Sequence, residues 1–216
     1  MKDAIVFDLD GTLWDTVSAV VRSWNEVLDR RPEARAHLTE EAMRAYIGKT
    51  TEQIAALLPA LPLEEALALM AECTQSEYAY LRAHGGGRLF DGLRPALEAL
   101  CAPYDLFIVS NCDSGYIEIF LEVHDMARCF RGHACPGDTG LDKAGNIRKV
   151  LAEAGNPRAF YLGDTDGDER AARLAGIPFV HAAYGFGRAE RPDAVLERFS
   201  DLPALAAELF SSPLFG

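Results

Sequence analysis

The sequence predicts an α/β fold, a parallel sheet interrupted after its first strand by an all-helical block. Three observations carry that expectation. Short apolar runs rich in β-branched and aromatic residues recur near residues 4–7, 106–109 and 159–162, and such runs read as strands buried on both faces. Helix-period stripes lie between and after them, the pattern of parallel strands joined by helical crossovers. From about residue 16 to 87 strand patterns cease and helical ones continue.

The first strand, expected near residues 4–8, ends on Asp8-Leu9-Asp10-Gly11-Thr12. Alternation along an extended chain places positions 8 and 10 on the same side. Two adjacent carboxylates repel, so a cation, a proton or both must neutralise them. That suits a metal-assisted reaction in which one aspartate attacks and its neighbour moves protons. The plain alternative is a solvated turn, since Asp and Gly favour turns for conformational reasons.

The helical block follows. Asp15 or Thr16 can cap a helix carrying Val17, Val20, Val21, Trp24, Val27 and Leu28 on one face. A short helix is expected over 40–46, then Gly48, then another near 51–58 before Pro59 and Pro62. A longer helix with Leu63, Leu67, Met70, Tyr78 and Leu81 ends at Gly85-Gly86-Gly87. Trp14, Trp24 and the methionines read as core. Lys49, in Gly48-Lys49-Thr50-Thr51, is the residue of the block most suspected of reaching a ligand.

Asp91-Gly92 returns the chain to the α/β pattern. Strands are expected near 105–110, 131–135, 159–163 and 178–181, with a short sixth near 194–196. Tyr116, Ile117, Phe120 and Leu121 form one helical stripe; Ile147, Val150, Leu151 and Ala154 form another, which Gly155 stops. Tyr184-Gly185-Phe186-Gly187 reads as a rim loop whose glycines permit close backbone approach. Asp201-Leu202-Pro203 opens a terminal helix through about Leu209.

The second run ends on Ser110-Asn111 and the third on Asp164-Thr165-Asp166-Gly167-Asp168. Ligands of parallel sheets bind beyond the carboxyl ends of the strands, so Asp8, Ser110 and Asp164 should converge there. Each has a plainer reading when taken alone. Ser110-Asn111 could cap the helix that follows, and Lys143 could be a solvent-facing lysine near a helix start. The 164–168 run superficially resembles a calcium loop. Its sixth and twelfth positions are Glu169 and Ala175 rather than Gly and Glu, and a strand precedes it, which excludes calcium.

Taken together these segments resemble the haloacid dehalogenase-like hydrolase superfamily, and within it the phosphoglycolate phosphatase-like branch. Asp8-Leu9-Asp10-Gly11-Thr12 is similar to the first motif, Ser110-Asn111 to the second, Lys143 to the third and Gly163–Asp168 to the fourth, in the family's order. Lys143 is followed by Ala144 where relatives commonly have proline. The resemblance implies a Rossmann-like parallel sheet core, residues 1–15 and 88–216, with an inserted small all-helical cap, residues 16–87.

It also implies the roles. Asp8 would be the nucleophile, forming an aspartyl-phosphate, and Asp10 the general acid and base. Mg²⁺ would be held by the Asp8 and Asp164 carboxylates and the Asp10 backbone carbonyl, with Asp168 supporting it. Ser110, the Asn111 backbone N–H and Lys143 would hold phosphoryl oxygens. Gly11 and Thr12 would add backbone donors and a tight turn around the phosphate. The cap would exclude water and select the leaving group.

Composition bounds the partners. The 216 residues are 49% hydrophobic and 25% charged, enough for one large domain or a domain with an appendage. Twenty-one Lys+Arg against 33 Asp+Glu give a net charge of −12, with no basic run to track a phosphate backbone. Nucleic acid and anionic membranes are therefore not expected partners, and a small phosphorylated metabolite is. Five cysteines without a Cys-x-x-Cys pair read as reduced thiols, and Cys112 is a core filler before it is a nucleophile. No apolar run approaches the roughly 18 residues of a membrane span and no leader is apparent, so a cytoplasmic location is expected, with a monomer favoured.

The leading expectation is a Mg²⁺-dependent phosphatase acting on a small phosphate monoester. A phosphomutase on the same scaffold would need the same Asp8 and Asp10. A non-catalytic phosphate-binding or receiver-like module is opposed by the lid and by an aspartate placed for acid–base work. Dehalogenation and phosphonate cleavage are disfavoured, since those branches lack a carboxylate at the place of Asp10.

Overall fold

The computed structural model describes residues 2–44, 46, 49, 54–55 and 61–212. Its centre is a six-stranded sheet of β1 (Ala4–Phe7), β4 (Asp105–Val109), β5 (Gly132–Ala134), β6 (Ala159–Gly163), β7 (Phe179–Ala182) and β8 (Ala194–Leu196). All pair in parallel, in the order β5-β4-β1-β6-β7-β8. Each expected strand is present, within two residues of its expected ends.

β1 shows why a continuous apolar run forms here. Ile5 and Phe7 point into one cluster, while Ala4 and Val6 point into the other. None of the four is exposed, and burying each large side chain contributes roughly 1.5–3 kcal/mol. The first layer comprises α4 (Leu93–Leu100), α5 (Tyr116–Val123) and α9 (Leu202–Ser211). The opposite layer comprises α7 (Lys143–Glu153) and α8 (Asp166–Ala175). A short helix, α6 (Pro136–Thr139), precedes α7.

β1 lies between β4 and β6, with Phe7 opposite both Ile108 and Leu162. Asp8, Ser110 and Asp164 therefore all fall just past the carboxyl ends of three adjacent strands. The chain leaves β1 in one direction and the flanking strands recruit helices from both faces, so a crevice opens at this rim.

The segment after β1 returns through a two-stranded antiparallel pair, β2 (Trp14–Asp15) with β3 (Arg88–Leu89), in which Trp14 faces Leu89 and Asp15 faces Arg88. Strands of two residues leave no periodicity in a sequence, so nothing local marks this pair. Between them lie α1 (Val17–Leu28), α2 (Glu40–Arg44) and α3 (Leu63–His84). These enclose their own apolar cluster, including Val20, Trp24, Met43, Leu69, Met70 and Cys73. The helix expected near 51–58 falls largely outside the described residues, as do Gly48, Thr50 and Pro59. α3 stops at Gly85, whose φ of 80° closes the last turn. No helix among the described residues is long and apolar enough to cross a membrane.

Candidate active site

The crevice collects four charged side chains with almost no exposure. Lys143, the first residue of α7, places Nζ 2.8 Å from Asp8 Oδ1 and 2.6 Å from Asp168 Oδ1. Its side chain is 6% exposed, which removes the solvent-facing alternative. Asp8, Asp164 and Asp168 each offer a carboxylate oxygen within 4.8 Å of the others. Three acids against one buried ammonium leave an excess of negative charge, and burial raises the Asp8 carboxyl, with Asp168 adding to it, to about 8. Asp164 is pushed up to about 7, again by burial and then by Asp168. Burial works against the Lys143 ammonium, but Asp168 and Asp8 outweigh it and hold its pKa above the ordinary lysine value.

Asp164 is gripped on one side and open on the other. Its Oδ2 accepts from the backbone N–H groups of Phe186 (2.7 Å) and Gly187 (3.1 Å), while the buried Oδ1 has no hydrogen-bond partner. A buried, unpartnered carboxylate oxygen is costly unless a cation completes it. Hard oxygen donors clustered at this spacing fit Mg²⁺. The cradle is backbone-tight: a Cβ at Gly185 would overlap the Asp164 side chain, and one at Gly11, where φ is 80°, would overlap its carboxylate. The rim loop 184–187 thus makes the close approach its glycines suggested.

Asp168 sits in the first turn of α8 and belongs to a capping box. Its Oδ2 accepts from the Thr165 N–H (3.0 Å) and hydroxyl (2.7 Å), and the Asp168 N–H donates back to Thr165 Oγ1 at 3.1 Å. Helix capping fixes the carboxylate whose other oxygen meets Lys143.

Asp10 is held by a separate pair. Its Oδ1 accepts from the Thr16 hydroxyl at 2.8 Å and the Tyr116 hydroxyl at 3.0 Å. Burial raises its pKa to about 6 against the Thr16 and Tyr116 hydrogen bonds, which lower it. A carboxyl so poised near neutrality can both give and take a proton. Thr16 precedes α1 as expected of a cap, yet makes no capping bond, because its hydroxyl goes to Asp10. Tyr116 was read as part of an apolar stripe. Its ring is indeed buried between Trp14 and Tyr78, and only its hydroxyl reaches the site.

Ser110 and Asn111 line the same cavity as Asp8 and Asp10. They are not the cap of α5, since Gly115 occupies that position. The donors expected of Gly11 and Thr12 are directed differently: the Gly11 N–H donates to Trp14 O at 3.0 Å and the Thr12 N–H to Leu9 O at 3.2 Å. Both serve the turn that joins β1 to β2. Tyr161, in sequence only one residue of an apolar run, also reaches the site: its hydroxyl donates to Val109 O at 2.7 Å and lies 3.4 Å from Asp8 Oδ1.

The helical block covers the cavity, and residues of both the block and the sheet rim line it. Lys49 lines it as suspected, with an exposed side chain. Trp24 and Met43 are core residues of the block and line the cavity as well. Glu77 of α3 lines it too, 7% exposed, its Oε2 accepting from Trp24 Nε1 at 2.7 Å. Burial pushes Glu77 up to about 8, against the Trp24 hydrogen bond. A folded-state pKa above the unfolded value means that this group favours folding fully below the unfolded pKa, and that the benefit is lost as pH rises through about 8. The melting temperature of wild type relative to Glu77→Gln is therefore expected to fall between about pH 4.5 and 8; parallel melting curves across that window would contradict it.

With this geometry in place, comparison with known proteins is decisive. A sequence model of the haloacid dehalogenase-like hydrolases matches residues 5–182. The chain belongs to this family. It is 26% identical to a phosphoglycolate phosphatase from Aliivibrio fischeri, over 93% of this chain and 95% of that one. It is 30% identical to a phosphoglycolate phosphatase from Xylella fastidiosa, over 84% of this chain and 80% of that one. In fold it matches a haloacid dehalogenase-like family protein from Streptococcus pneumoniae with a TM-score of 0.74 at 22% identity, covering 96% of this chain and 98% of that one. The hydrolase assignment and the α/β architecture read from the sequence both stand.

Proposed function

We propose that this chain is a Mg²⁺-dependent phosphatase that hydrolyses a small phosphate monoester through an aspartyl-phosphate on Asp8. The observation that carries this reading is the buried Asp8–Asp164–Asp168 cluster with the Lys143 ammonium set between two of its members. The names of the relatives, phosphoglycolate phosphatases, support hydrolysis of a phosphate ester. They leave the ester itself to analogy.

In this mechanism residues 1–15 and 88–216 form the catalytic core and residues 16–87 the cap. Mg²⁺, held by the carboxylates of Asp8 and Asp164 and the backbone carbonyl of Asp10 with Asp168 in support, would screen the phosphate dianion from the attacking carboxylate. Asp8 attacks phosphorus. Asp10, oriented by Thr16 and Tyr116, protonates the departing alkoxide and then takes a proton from the water that hydrolyses the phosphoenzyme. Lys143, Ser110 and the Asn111 backbone N–H steady the phosphoryl oxygens as charge redistributes. Lys143 also fixes the nucleophile, since its ammonium is bonded to Asp8 before substrate arrives. The cap excludes bulk water from the crevice.

Chelation is expected to abolish phosphate release, added Mg²⁺ to restore it, and excess Ca²⁺ to inhibit, because calcium accepts more ligands in looser geometry. Full turnover in EDTA would exclude the metal from the mechanism. Tyr116→Phe removes a single hydroxyl from Asp10 and is expected to lower kcat on an alkyl phosphate about tenfold, the scale of one hydrogen bond to a charged group. KM should stay near wild type; a loss confined to KM would place Tyr116 in substrate binding instead. A screen of small phosphate esters for inorganic phosphate release tests the activity as a whole, and also separates hydrolysis from mutase chemistry.

A further inference from the structure

The mechanism above leaves Glu77, a buried acid of the cavity, without a task. Glu77 lies on α3, in the helical block, and faces the same cavity as the two aspartates assigned to chemistry. Burying a carboxyl on an otherwise apolar helix face is unfavourable unless hydrogen bonds satisfy it. Trp24 supplies one hydrogen bond, at 2.7 Å, and the Tyr116 hydroxyl that also holds Asp10 lies within hydrogen-bonding influence of the same carboxyl. Around it the helical block presents hydrocarbon, from Val20, Met43 and Ile54, suited to packing against a short carbon skeleton.

We propose that Glu77 selects the leaving group, hydrogen-bonding a hydroxyl of a neutral, polyol- or sugar-like alcohol. This rests on the phosphatase reading and narrows its substrate class. Two features of the cavity argue for a neutral alcohol. Among its described lining residues the acids are Asp8, Asp10, Glu77 and Asp113, while Lys49 is the one cation and is exposed. A carboxylated leaving group would find no buried cation among these lining residues to pair with. Secondly, burial keeps the Glu77 carboxyl protonated at neutral pH, so it can donate as well as accept, the pairing that a hydroxyl matches and an ammonium does not.

The test compares phosphate release from sn-glycerol 3-phosphate, ethyl phosphate, 2-phosphoglycolate, O-phosphoethanolamine and p-nitrophenyl phosphate, with Mg²⁺ present. Wild type should favour glycerol 3-phosphate over each of the other three alkyl esters by about tenfold or more in kcat/KM, since a site built to bond a hydroxyl discriminates against ligands lacking it. Glu77→Leu should reduce the glycerol-to-ethyl ratio by about tenfold, whereas Glu77→Gln, which keeps a donor and an acceptor, should hold it within about threefold. Preference for 2-phosphoglycolate or O-phosphoethanolamine in wild type would overturn the proposal. So would a glycerol-to-ethyl ratio near one, or a ratio that Glu77→Leu leaves intact. Should Glu77→Leu fail to fold, the wild-type ratios and Glu77→Gln decide the matter. Turnover of p-nitrophenyl phosphate without any hydroxyl preference removes only the role of Glu77. Absence of release from every ester removes the phosphatase reading and this inference with it.

Discussion

Asp8→Asn is expected to abolish turnover while the protein stays folded. The amide is nearly isosteric, but it is a poor nucleophile and a poor ligand for a hard cation. The expected loss is on the order of 10⁴-fold or more in kcat, the scale on which removal of a covalent nucleophile is felt. Folding should survive because burial of the Asp8 charge is itself unfavourable: its carboxyl is raised to about 8 by burial and by Asp168. Lys143 keeps its second partner, Asp168 at 2.6 Å. The melting temperature should therefore hold or rise. A folded Asp8→Asn protein, free of carried-over enzyme, that turns over near the wild-type rate would end the aspartyl-phosphate account.

Asp10→Asn is expected to produce a different defect. Its Oδ1 accepts from Thr16 and Tyr116, and an asparagine oxygen can accept both bonds, so the local geometry should persist. What disappears is the proton. General acid–base help is worth about 10²–10⁴-fold, and a poor leaving group such as an alkoxide needs it most. Single-turnover phosphoenzyme formation should fall by that factor with an alkyl phosphate and much less with an aryl phosphate, whose phenolate departs without protonation. Equal losses on the two esters would deny Asp10 the acid role.

Much of the core was legible because its strands are buried on both faces. In β1 every residue is apolar and each neighbour points into a different cluster, so burial rather than alternation marks the strand. The same logic located the crevice, since polar groups at the ends of such strands can only gather at the sheet rim. What stayed hidden depended on long-range packing. Tyr116 obeys a helical apolar stripe, and nothing local indicates that its hydroxyl ends 3.0 Å from a residue 106 positions away. Glu77 lies on a helix of mixed polarity and becomes a cavity residue only because α1 brings Trp24 against it. The plain alternative for Lys143 failed for a related reason: the first turn of α7 faces the crevice, where two carboxylates offset the burial of its charge. For Gly11 and Thr12 the resemblance implies a tight turn and backbone donors; the turn is present, and it engages both N–H groups, with Trp14 O and Leu9 O.

The central claim is that phosphate passes through Asp8, and trapping that intermediate tests it most directly. Asp10→Asn, lacking the base that activates water, should accumulate the phosphoenzyme when mixed with an aryl phosphate and Mg²⁺. Acid-quenched samples would be read by intact mass, followed by peptide mapping. The account predicts a species heavier by one phosphoryl group, carried by the peptide containing Asp8 and missing from the Asp8→Asn, Asp10→Asn double variant. Phosphate release from the aryl ester with no such species at any time during a single turnover, or with the label on another residue, would contradict it.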